Sequence, residues 1–139
     1  QMKKGFIAMA GVDRWQLSNH PVLPAAVLLA SLEIFQQAGL KNLHAKSLLL
    51  TAYLEYLLNQ IDAAEEKFAI LTPSDKRARG CQLSIFMKQK GKKVFDALTK
   101  AGVIADWREP DVIRVAPVPL YNTFEDVFRF VEIFKHALI

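Results

Sequence analysis

Arg114 carries the clearest chemical signal in the chain. It lies within Val112-Ile113-Arg114-Val115-Ala116-Pro117, an apolar run between a charged bend and a proline. A guanidinium among apolar neighbours must be paired or open onto a solvated cleft, because burying an uncompensated charge is costly. Its planar fork suits a carboxylate, held through two parallel hydrogen bonds. An arginine on the exposed face of an edge strand fits the same alternation, and the pattern alone leaves both readings open. Ser18 and Asn19 come just before a helix start, and by pattern they read as caps for free N–H groups. Tyr121-Asn122 reads the same way. Cys81 has Arg79 two residues away, and a basic neighbour favours a reactive thiolate. No histidine is near it in sequence, so it reads as a half-buried or strand-edge cysteine. His20, His44 and His136 match no metal-ligand spacing and read as surface residues; no metal site is expected.

The surrounding chain is a single-domain length of 139 residues, 52% apolar, with a net charge of +4. That is enough apolar material for a real core. No apolar run reaches the ~18–20 residues of a membrane span; the richest, Val22 to Ala30, is too short. Gln1-Met2-Lys3-Lys4 is charged but leads into no signal-peptide block. The chain opens in mid-pattern and reads as a piece of something longer. One cysteine allows no disulfide within the chain, which fits a cytoplasmic setting. Lys76, Arg77, Arg79, Lys88, Lys90, Lys92 and Lys93 form a basic cluster. No aromatic residues interleave with it as single-strand binders require, so it reads as a solvated rim around a turn and a helix start.

The elements that must position these residues follow from periodicity. Residues 1–20 are irregular, with Gly5, Gly11 and Asn19 as breakers, and read as a connecting segment. Pro21 and Pro24 open a helix, whose apolar residues from Val22 to Ala38 recur at three-to-four spacing and stop at Gly39. Asn42 is the expected cap of a second helix running to about Asn59, with Leu50, Tyr53, Leu54 and Leu57 on its stripe. Phe68 to Thr72 predicts a strand stopped by Pro73. Cys81 to Met87 predicts its hairpin partner, with Pro73 to Gly80 as a long loop. Gly91 starts a third helix, with Val94, Phe95 and Leu98 on one face and Gly102 beyond its end. Asp106 to Asp111 reads as a polar bend and Val112 to Val115 as a third strand. Asn122 and Glu125 match a capping box ahead of a last helix carrying Val127, Val131 and Phe134. Few strands among several helices predict an α+β domain: a small, mainly antiparallel three-stranded sheet covered by helices, occupying residues 21–139. There is no glycine-rich phosphate loop.

Two segments resemble kynureninase. One is Trp15-Gln16-Leu17-Ser18-Asn19-His20-Pro21-Val22, followed by Ala30-Ser31-Leu32-Glu33-Ile34-Phe35. The other is Ile113-Arg114-Val115-Ala116-Pro117-Val118-Pro119-Leu120-Tyr121-Asn122, followed by Phe124 and Asp126-Val127. Ala45-Lys46-Ser47, Thr51-Ala52-Tyr53-Leu54 and Arg79-Gly80-Cys81-Gln82-Leu83-Ser84 also fit, so the resemblance covers nearly the whole chain. It departs at His20, where the family usually has a second proline.

The resemblance implies the carboxy-terminal small domain of a fold-type-I, aspartate-aminotransferase-like enzyme that uses pyridoxal 5'-phosphate. Such enzymes hydrolyse L-kynurenine, or its 3-hydroxy form, to L-alanine and anthranilate or 3-hydroxyanthranilate. They belong to tryptophan catabolism, which leads on to NAD biosynthesis, and act as cytoplasmic homodimers. Carried over residue by residue, Arg114 matches the arginine that holds the substrate α-carboxylate. Asn19, with Ser18, matches the turn that lines the cofactor and the substrate ring. The family's Schiff-base lysine, the acidic partner of the pyridine nitrogen and the main phosphate ligands lie upstream of this segment. No catalytic residue is therefore expected within it, Lys46 included, and the chain alone is expected to be inactive. The other readings are the small domain of a related lyase or desulfurase, and a free-standing basic module that binds an anionic partner.

Overall fold

Strict alternation at Leu83, Ile85 and Met87, all buried, builds the strand around which the sheet is assembled. The computed structural model describes residues 5–62 and 66–139, and Gln1-Met2-Lys3-Lys4 lies outside the described residues. The chain divides into two compact units, residues 1–37 and 38–139.

The first unit holds a 3-10 turn, Gly11–Trp15, and all but the last residue of helix α1, Val22–Ala38. Pro21 stands at the helix mouth, where its carbonyl accepts the N–H of Ala25 at 3.0 Å and its missing N–H costs nothing. Helix α1 buries none of its residues. Val22, Leu23, Val27, Leu28 and Leu32 are all exposed. A helix apolar on so much of its circumference is one built to be covered.

The second unit runs α2 (Leu40–Ile61), β1 (Phe68–Ile70), β2 (Leu83–Met87), α3 (Gly91–Lys100), β3 (Asp106–Arg108), β4 (Val112–Val115) and α4 (Phe124–Ala137). The four strands form one sheet in the order β1-β2-β4-β3, with every neighbouring pair antiparallel. The α+β class, the antiparallel sheet and the β1–β2 hairpin are as the sequence predicts. The expected strand count is one too low, because Asp106 to Arg108 is a strand and not part of a bend. Its single inward residue, Trp107, packs on Phe95 with ring centroids 5.6 Å apart. Two exposed charges flank that residue and hide so short an alternation.

Two caps also move. Helix α2 starts at Leu40 behind Gly39, whose φ of 80° suits a residue without a Cβ. Asn42 instead donates its side-chain amide to the Ala38 carbonyl. The capping box of α4 is Thr123 with Asp126, one residue later than expected. Asn122 is occupied elsewhere: its Oδ1 accepts the N–H of Val118 at 2.8 Å and fixes the loop after β4.

The core lies between one sheet face and the helices. Leu50, Leu54 and Leu58 of α2, Val94 and Leu98 of α3, and Val127, Val131 and Phe134 of α4 meet Phe68, Leu83, Ile85, Met87, Ile113 and Val115 of the sheet. Phe134 stands edge-on to Phe68 at 5.3 Å. Each fully buried side chain of this kind contributes about 1.5–3 kcal/mol relative to exposure, which holds the opposite sheet face in place for other uses.

Candidate functional site

Arg114 lies on that opposite face. Period-two alternation buries Ile113 and Val115 against the helices and turns Arg114 outward. Strand β4 is central, flanked by β2 and β3, so the edge-strand alternative is set aside. Arg114 is opposite Ser84 on one side and Asp106 on the other. Its side chain keeps 31% of its exposure, and the guanidinium is both paired and open.

The pairing is one-sided. Arg114 Nε and Nη2 both reach Asp106 Oδ2, each at 2.5 Å. Arg108 Nε donates to the same oxygen at 2.9 Å. A guanidinium offers a side edge, Nε with Nη2, and an end edge, Nη1 with Nη2. Asp106 takes the side edge. Among the described residues no acceptor meets Nη1, which leaves the end edge for a ligand. One carboxylate faces two guanidiniums, so the cluster keeps a net positive charge suited to an anion. Desolvation pushes the Asp106 carboxyl upward, but the hydrogen bond from Arg114 and the charges of Arg108 and Arg114 outweigh it and hold the carboxyl below its ordinary value.

Ser18 and Asn19 lie in the first unit, between the 3-10 turn and α1. Neither caps α1 among the described residues; Pro21 occupies that place. Gln16 donates its side-chain amide to the Ser18 carbonyl at 2.8 Å, which shapes the turn. The Asn19 amide is exposed and meets no partner among the described residues.

Asp106 and Arg108 escape a reading by sequence because they sit in the stretch taken as a bend. The signal that finds them is a proline-bearing turn, Glu109-Pro110-Asp111, between two short extended runs, which is a hairpin pattern.

The remaining candidates recede. Cys81 is half-buried and free, just before β2. The basic cluster is a solvated rim at every position but Arg79. Arg79 is buried in an ion pair with Glu55, Arg77 pairs with Asp75, and Lys92 pairs with Asp96. Among the described residues no group of His, Cys, Asp and Glu converges as a metal site, and no single helix is long and apolar enough to cross a membrane. A groove of about 640 Å³ runs along Leu54, Val103, Pro117, Tyr121 and Phe130. Arg114 does not line it.

Comparison with known proteins agrees with the residue-level resemblance. The profile of the kynureninase C-terminal domain matches residues 43–134. Over its whole length the chain is 46% identical to the kynureninase of Flavobacterium psychrophilum, of which it spans 33%. Over 94% of its length it is 53% identical to the kynureninase of Monosiga brevicollis, spanning 29% of that protein. The chain thus spans about a third of the length of the curated relatives it matches. A solved transaminase from an ancestral-reconstruction series superposes with a TM-score of 0.64 at 26% identity, over 86% of this chain and 27% of its own. Apolar core, antiparallel sheet and outward arginine all sit in the segment that the profile matches, and the chain belongs to the kynureninase family as its carboxy-terminal domain.

Proposed function

We propose that this domain supplies the substrate-carboxylate arginine of a pyridoxal-phosphate-dependent kynureninase, which hydrolyses L-kynurenine or its 3-hydroxy form to L-alanine and the corresponding anthranilate. The observation that carries the reading is Arg114, with its side edge held by Asp106 and its end edge open. A carboxylate docked there in a bidentate manner would have two parallel charge-assisted hydrogen bonds. Fixing that end of the substrate fixes the orientation of the bond to be broken, and positioning of this kind lowers a barrier by several kcal/mol.

The donor set also fits the cofactor's place in the family. The unpartnered Asn19 amide, on the turn shaped by Gln16, is free to hydrogen-bond cofactor or substrate ring, with Ser18 beside it. When bound, pyridoxal phosphate supplies the electron sink, while the protein supplies binding and orientation. No lysine of this domain is assigned as its covalent anchor; Lys46, for one, is engaged with the Pro119 carbonyl. The rest of the site belongs to the two thirds of the relatives' length outside this sequence. The exposed apolar surface of α1 is suited to packing against that larger part or a second subunit. A cytoplasmic homodimer is the setting we infer.

The test follows anthranilate release from L-kynurenine by the full-length protein loaded with pyridoxal phosphate, wild type beside Arg114→Ala. The variant is expected to lose roughly a hundredfold in kcat/KM, with KM raised and kcat lowered. An unchanged kcat/KM would remove Arg114 from the site. A wild type that binds cofactor but leaves kynurenine intact would move the reading to another substrate of the transaminase-like fold, cysteine among them.

A further inference from the structure

The sheet places a second residue beside Arg114. We propose that Asp106 is a positioning residue for substrate binding: it orients the Arg114 guanidinium so that only the end edge meets the substrate carboxylate. The inference rests on Arg114 being the carboxylate ligand.

Three observations carry it. Asp106 is the direct cross-strand partner of Arg114 in the β3–β4 pair, so the backbone ladder sets the distance between them. Asp106 meets Arg114 through one oxygen, Oδ2, which takes both Nε and Nη2. That is side-on pairing, and it uses the edge that a substrate would otherwise compete for. Arg108, two residues on along the same strand, donates to the same oxygen. It holds the same carboxylate oxygen and keeps the group net positive.

The physical consequence is a choice of geometry. An arginine side chain has four rotatable torsions, and an unpaired one samples many of them at an entropic cost when it binds. Pairing the side edge removes that freedom before the substrate arrives. Asp106 does not neutralise the site, because Arg108 offsets its charge. A carboxylate that merely stabilised the fold would have no reason to discriminate between ligands with and without a carboxylate, whereas a positioning residue would.

The experiment uses the full-length protein loaded with pyridoxal phosphate and compares wild type, Asp106→Ala, Asp106→Asn, Arg114→Ala and the Asp106→Ala/Arg114→Ala double variant. Two quantities are read: KM and kcat for L-kynurenine, and the inhibition constant of its decarboxylated amine. Asp106→Ala is expected to raise KM about tenfold with a smaller change in kcat, and to leave binding of the amine unchanged. Asp106→Asn, which keeps an acceptor oxygen, should fall between it and wild type. In the Arg114→Ala background the loss of Asp106 should add nothing, since it acts through the arginine. Full additivity of the two losses, or equal weakening of kynurenine and the amine, would overturn the proposal. If Arg114→Ala collapses activity while neither Asp106 variant alters KM, the arginine reading stands and the positioning role is gone. If Arg114→Ala itself is silent, both go. Should Asp106→Ala fail to fold, the near-isosteric Asp106→Asn decides by the same KM-against-amine comparison.

Discussion

Arg79 and Glu55 meet across 24 residues of sequence, Nη2 to Oε2 at 2.5 Å, with the arginine side chain only 4% exposed. The same guanidinium donates through Nη1 to the Pro73 carbonyl. One side chain thereby ties α2 to both ends of the long loop between β1 and β2.

Removing one partner of such a pair leaves the other desolvated. Arg79→Met is therefore expected to destabilise by roughly 2–3 kcal/mol, somewhat below the loss for a fully buried pair because Glu55 retains access to water. Adding Glu55→Gln should recover part of it. Thermal unfolding of the full-length single and double variants checks this, and simple additivity would refute the coupling.

Gly91 is a position where packing, not helix capping, dictates the residue. A Cβ built there would lie 2.9 Å from Asp111 Oδ1, 2.9 Å from Met87 Cβ and 3.1 Å from the Trp107 ring. Alanine is normally the better helix former, by about 1 kcal/mol. Here Gly91→Ala should still destabilise, by about 1–3 kcal/mol, as an overpacked core does. Equilibrium unfolding with and without the substitution decides the sign, and a stabilised variant would show that β2 can yield at Met87.

How much of this was legible in sequence depended on the signal each element carries. The buried faces of α2, α3 and α4 follow from three-to-four spacing of Leu, Val and Phe, and β2 from clean alternation. Arg114 was legible because a charge stands out in an apolar strand. Its partner was not, because Asp106 lies in a three-residue strand with one inward side chain, too short for a period to register. The caps shifted for a related reason: Asn122 and Thr123 are both good cap residues, and only the loop's need for an acceptor at Val118 assigns the first to the loop and the second to the helix. Asn19 read as a cap because side-chain type alone cannot show that Pro21 holds that place.

Lys46 holds the loop that leaves β4. Its Nζ donates to the Pro119 carbonyl at 2.9 Å, over a separation of 73 residues and in a half-buried setting. Hydrogen bonds from a charged donor contribute about 1.5–3 kcal/mol. Lys46→Met keeps the aliphatic stem and removes the bond. Amide exchange at Leu120 to Asn122 should accelerate, while that of β2 stays as it was. Unchanged exchange in the loop would mean that the Asn122–Val118 bonds alone suffice.

Asp62 gives the fold a handle on pH. It follows α2 and accepts three backbone N–H groups: Glu66 at 3.0 Å on Oδ1, and Lys67 at 2.7 Å and Phe68 at 3.0 Å on Oδ2. Desolvation raises its carboxyl, but the hydrogen bonds from Phe68, Lys67 and Glu66, with the charge of Lys67, outweigh it and set the folded value below 3.8. A depressed carboxylate contributes stability that is fully present above its unfolded value and is lost as pH falls through the folded one. Acid should therefore loosen the start of β1 only below about pH 4, and progressively so. Asp62→Asn, unable to carry the charge, should remove that step. It should also cost about 1–3 kcal/mol at neutral pH, as donors built for a carboxylate lose their charged acceptor. Hydrogen exchange at Phe68 to Ile70 between pH 3 and 7 (roughly the span over which an aspartate of ordinary pKa titrates and then stays ionised), corrected for intrinsic rates, reads both effects. A wild type whose protection at β1 is flat across that range would show that the strand entry is held by Phe68 in the core and not by the carboxylate.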